Sequence, residues 1–72
     1  VRVLGVDPGL TRCGVGVVDG RPGRACALVG FEAVTTDPDS DLAHRLLHLD
    51  RRLTELIAAH RPDGVAVERV FS

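Results

Sequence analysis

Two acids follow directly on apolar runs: Asp7 after Val3-Leu4-Gly5-Val6, and Glu68 after Val65-Ala66-Val67. If both runs are strands of one sheet ending on the same edge, the acids stand ~4.8 Å apart, strand to strand. Two carboxylates at that spacing can share one cation or bracket two, and hard oxygen donors favour Mg²⁺ or Mn²⁺ over zinc. Without a cation they repel, which raises the pKa of at least one. The plainer readings are a turn and a return to solvent. Asp7-Pro8-Gly9 is a common turn sequence, and Glu68 could pair with Arg69. Placement of both acids on one inferred edge favours chemistry.

Other reactive types are weaker candidates. Arg12 and Arg69 flank the acids and could meet a phosphate, or lie idle on the surface. His44 and His48 have the i, i+4 spacing of a helical metal pair. They project away from the leucine stripe, with Arg51 and Glu55, so they read as a solvated face. His60 falls in a last helical turn, where a cation suits the helix dipole. A hairpin turning near Arg21-Pro22 puts Cys13 opposite roughly Gly30, and Cys26 opposite roughly Val17. That offset of about four residues is ~13 Å, past the ~7 Å limit for a disulfide. Two reduced, half-buried thiols are expected.

The elements that must position these groups follow from periodicity. Arg2 to Val6 is a short apolar strand closed by Asp7-Pro8-Gly9. Cys13 to Asp19 is β-branched and aliphatic, and reads as strand two. Gly20-Arg21-Pro22-Gly23 turns the chain into a longer strand three, Arg24 to Val34. Links this short make the first three strands antiparallel neighbours. Gly14 and Gly16 share a face of strand two, where missing side chains allow close approach of a backbone, a helix or a ligand. From Leu42 the period changes: Leu42, Leu46, Leu49, Leu53, Leu56 and Ile57 form the stripe of an amphipathic helix. Asp37, Asp39 or Ser40 can cap its start, and Pro62 stops it after Arg61. Asp63-Gly64 then leads into Val65-Ala66-Val67, an apolar run suited to a buried fourth strand. A helical crossover lets that strand lie parallel to strand one, bringing Asp7 and Glu68 to the edge where such sheets place ligands.

Val3-Leu4-Gly5-Val6-Asp7-Pro8-Gly9, then Gly14-Val15-Gly16-Val17, then Pro62-Asp63 running through Val65-Ala66-Val67-Glu68-Arg69-Val70-Phe71, resembles the RuvC family of bacterial Holliday-junction endonucleases. The likeness covers the whole chain. It implies an α/β, RNase H-like fold with a five-stranded mixed sheet, of which β-β-β-α-β is visible, so residues 1–72 read as the N-terminal portion of a single nuclease domain. It also implies a homodimer that cuts four-way junction DNA symmetrically in recombination and repair, beside the RuvA/RuvB branch-migration complex. Asp7 and Glu68 match catalytic, metal-holding acids of that family. Two Mg²⁺ ions, for which Mn²⁺ substitutes, would activate water and stabilise the leaving 3′ oxygen. Phe71 matches an aromatic that contacts DNA, where stacking contributes ~1–3 kcal/mol; its plainer role is a core plug. Arg69, Arg12 and Gly9 are further candidate substrate contacts. The family's remaining acids, its fifth strand and most of its basic surface are expected beyond Ser72. The 72 residues alone are expected to be inactive.

Composition limits the rivals. The chain carries nine basic and ten acidic residues, net charge −1, and every basic residue is Arg. Near-neutrality argues against a dedicated nucleic-acid patch within these residues. A chain this short buries only ~60% of the surface it exposes unfolded, so its stability is marginal, and neither a cysteine framework nor a zinc cluster supplements it. No run approaches the ~18 apolar residues of a membrane span, and no signal peptide is evident; the expected location is the cytoplasm. Asp7-Pro8-Gly9-Leu10-Thr11 also fits the phosphate loop of actin, chaperone and sugar-kinase ATP-binding domains. A YqgF-like RNA-processing nuclease and a binding module without catalysis share the fold.

Overall fold

The computed structural model describes residues 1–69. Its order is β1 (Arg2–Asp7), β2 (Arg12–Asp19), β3 (Ala27–Thr35), α1 (Leu42–His60) and β4 (Gly64–Val67). The sheet runs β3-β2-β1-β4. β1 pairs antiparallel with β2 and parallel with β4, with Val6 opposite Val67. The crossover through α1 places β1 and β4 side by side in one direction, which a helical connection allows and a tight hairpin does not.

Alternation within the strands sends Leu4, Cys13, Val15, Val17 and Val34 to one face, where they form the core with Leu56 of α1. Leu49 and Leu53 pack against that core from the helix. The rest of the predicted stripe stays uncovered: Leu42, Leu46 and Ile57 are exposed. Leu46 and Ile57 border an apolar groove of about 640 Å³ between α1 and the sheet, with Val65 and Val67 on its far side. β4 is thus exposed along its length rather than buried. As the edge strand of the described sheet it has β1 on one side only. The molecule measures 46 × 28 × 15 Å, the thickness of one sheet and one helix, and among the described residues no second element covers the face of the sheet away from α1.

Four details differ from the sequence reading. The cap of α1 is Asp41, whose side chain accepts from the His44 backbone N–H at 2.8 Å. Asp37 instead accepts from the Asp39 N–H, closing a turn before the helix. The β2–β3 connection is longer than a four-residue turn, because β3 begins at Ala27 rather than Arg24. With a bulge where Val17 meets Gly30 and Val18 meets Leu28, the register places Cys13 opposite Val34, not Gly30. Cys13 is buried, and Cys26 lies outside the strand, exposed rather than half-buried; both are free thiols. At its far end α1 closes on Arg61 in the left-handed region (φ 50°), whose N–H donates to the Ile57 carbonyl. Pro62 follows and cannot continue the helix. Among the described residues, no helix is long and apolar enough to cross a membrane.

Candidate active site

Asp7 closes β1, and Glu68 follows directly on β4. The parallel register continues past Val6 and Val67, since the Glu68 N–H donates to the Val6 carbonyl at 2.9 Å. The two acids therefore stand next to each other at one rim of the sheet, and both are exposed there. Asp7 holds the Glu68 carboxyl above the usual carboxylate range, first through a hydrogen bond between the two side chains, then through like-charge repulsion. Two acids this close repel each other, and a cation between them would relieve that repulsion.

The donor set fits a hard divalent cation in type, because it is built of carboxylate oxygen. It is also short: among the described residues no group of three or more His, Cys, Asp or Glu could hold a metal ion. His44 and His48 do not join the rim. His44 is exposed and its ring contacts the capping carboxylate of Asp41 at 2.8 Å; His48 is exposed on the same helix.

The turn between β1 and β2 is held by sterics and by hydrogen bonds. A Cβ at Gly9 would stand 2.2 Å from the Arg12 carbonyl oxygen, so only glycine fits there. Arg12 opens β2 exposed, and Arg69 follows Glu68, also exposed. Phe71 lies outside the described residues. On the face that carries Asp7, the space left by Gly14 and Gly16 is occupied by the ring of Phe31, whose atoms lie 3.8–3.9 Å from where their Cβ atoms would be. Asp7 Cβ lies 3.6 Å from the Cβ position of Gly14, so the acid and the ring share that glycine strip.

Sequence reasoning missed Phe31 and three arginines that tie elements together. Arg2 donates to both oxygens of Asp19, at 2.7 and 2.9 Å, and to the His60 carbonyl, joining β1, β2 and the end of α1. Arg52 donates to both oxygens of Glu32 at 2.6 Å, joining α1 to β3. Arg45 donates to Thr36 Oγ1 and Thr11 Oγ1, each at 2.9 Å. These partners lie 9 to 58 residues apart in sequence, beyond any local spacing rule.

A mixed β3-β2-β1-β4 sheet with a crossover helix, bearing acids at the adjoining ends of β1 and β4, defines an RNase H-like α/β fold. The family model of crossover junction endodeoxyribonuclease RuvC matches residues 3–72, and the chain belongs to that family. It is 72% identical, over all 72 residues, to the Salinispora arenicola RuvC and 53% identical to that of Streptomyces coelicolor. It spans 41% and 38% of those two proteins. Among solved structures, Thermus thermophilus RuvC superposes with a TM-score of 0.88 at 35% identity, matching the whole chain and 45% of that protein. The same protein in complex with a Holliday junction substrate gives 0.90 at 34% identity, over 46% of its length.

Proposed function

We propose that residues 1–72 are the N-terminal portion of a single RNase H-like nuclease domain. The whole protein, in this reading, is a metal-dependent endonuclease that resolves four-way DNA junctions by paired phosphodiester hydrolysis during recombination and repair. The observation that carries it is the Asp7–Glu68 pair, brought together at the sheet rim by the parallel β1–β4 register. The Thermus thermophilus relative bound to a Holliday junction supports the substrate class.

Asp7 and Glu68 would hold Mg²⁺, two ions per site by family likeness, with Mn²⁺ as a substitute. Such cations, when bound, supply positive charge to a phosphoryl group and make water more acidic. Both acids would serve as ligands in their ionised form, with Asp7 on the more central strand of the sheet. Arg12 and Arg69 flank the acids and could meet the phosphates on either side; Phe71 would stack on a base. Gly9 lets the chain turn tightly behind Asp7 and would bring its backbone close to the substrate. With two acids only, the 72 residues by themselves are expected to cut nothing. A homodimer would place two such sites for symmetric cuts, working with RuvA/RuvB in the cytoplasm.

The test uses a polypeptide of the relatives' full length carrying this sequence. Asp7→Asn should reduce junction cutting to background with Mg²⁺ or Mn²⁺, while junction affinity stays within a few-fold. Cutting that survives this change removes Asp7 from its role. Tight ATP binding without junction binding would instead support the nucleotide-binding reading of the Asp7-to-Thr11 loop.

A further inference from the structure

The turn that follows Asp7 is suspended from the rest of the molecule by one cluster. Thr36, buried just past β3, donates its N–H to the Thr11 carbonyl (3.0 Å) and its hydroxyl to the Leu10 carbonyl (2.6 Å). Arg45, in the first turns of α1, donates Nε to Thr36 Oγ1 and Nη2 to Thr11 Oγ1. Its guanidinium makes no ion pair with any described carboxylate. It is therefore not there to neutralise an acid. Its planar fork holds two hydroxyls 25 residues apart in sequence from two nitrogens fixed in one plane, a geometry that the flexible ammonium of a lysine does not pre-set. Thr36 accepts from Arg45 and donates to Leu10, so the hydroxyl passes the helix's hold on to the turn backbone.

We propose that Arg45 is a positioning residue for the active site: acting through Thr36 and Thr11, it fixes the Pro8–Thr11 turn and thereby the place of Asp7 relative to Glu68. This rests on the nuclease reading for its effect on cutting, but the clamp itself can be measured without it.

The experiment compares wild type, Arg45→Ala, Arg45→Lys, Thr36→Val and Thr36→Ser in the full-length protein. Amide hydrogen exchange should speed up at residue 36, whose N–H is bonded to the Thr11 carbonyl of the turn, by about tenfold or more in Arg45→Ala and Thr36→Val, with residues 49–57 of α1 as protected as in wild type. Thr36→Ser, which keeps the hydroxyl, should restore the wild-type pattern, and Arg45→Lys should not. Junction cutting at saturating DNA should fall about tenfold in the same variants, with junction affinity within twofold and a higher Mg²⁺ requirement. The double variant Arg45→Ala/Thr36→Val should be no worse than either single change, as for two members of one chain of contacts. Unchanged exchange at residue 36 overturns the proposal. So does a loss confined to junction affinity, which would make Arg45 a substrate contact instead. A wild-type protein that cuts no junction sinks the nuclease reading alone, and the exchange measurement still decides the clamp.

Discussion

At the scale of single residues, the acids and the glycine behind them divide the work. Asp7 and Glu68 were legible because a carboxylate directly after an apolar run is unusual and a strand fixes where it ends. Gly9 was legible as a turn residue, but its reason is steric: the space where its Cβ would go is filled by the Arg12 carbonyl, a backbone atom that cannot swing aside. Gly9→Ala should therefore cost about 1–3 kcal/mol, as overpacking does. Urea unfolding of the full-length protein measures this, and a variant as stable as wild type would show that the turn yields freely. Phe31 was not legible, since its ring covers Gly14 and Gly16 only once β3 lies beside β2 in the observed register.

At the scale of elements, the ends of α1 hold the clearest consequences. Arg61 occupies the left-handed region without being glycine. Side chains in that region carry a penalty of roughly 1–2 kcal/mol, so Arg61→Gly should raise stability by about 1 kcal/mol, less whatever entropy the unfolded chain gains. A denaturant midpoint that falls would mean the Arg61 side chain contributes more than its backbone loses. The helix was plain from its leucine period, and its stop from Pro62. Its cap was misplaced because four polar residues, Asp37, Asp39, Ser40 and Asp41, all suit a cap. Only the one immediately before the first helical residue can reach the His44 N–H. The hairpin register failed for a related reason. Gly20-Arg21-Pro22-Gly23 marks a turn but not its length, and a bulge inside β3 leaves no periodic signal.

Across the whole molecule, long-range ion pairs hold a small core together. The Arg2 guanidinium holds the Asp19 carboxyl below its ordinary range, and Arg52 does the same for Glu32. The backbone N–H of His44, then its ring, lowers Asp41. Each of these folded-state carboxyls binds its proton more weakly than the unfolded chain does. Their stabilisation is present above the ordinary carboxylate range, near about pH 4, and is lost as pH falls through the lowered folded values. Glu68, raised by Asp7, acts in the opposite sense: its contribution is present at low pH and is lost as pH rises through its raised value. Three groups against one should make the melting temperature of the full-length protein drop below about pH 4. Asp19→Asn should flatten part of that drop; a profile that stays level would mean these pairs contribute nothing net.

The residues alone determined the element order, the amphipathic helix and the two acids, because each is encoded within a few neighbours by period, turn chemistry and strand-end placement. Tertiary structure decided the β2–β3 register, the exposure of β4 and the arginine clamps. Those depend on contacts between residues tens of positions apart, where pairing is set by competition among whole elements for one core rather than by local sequence.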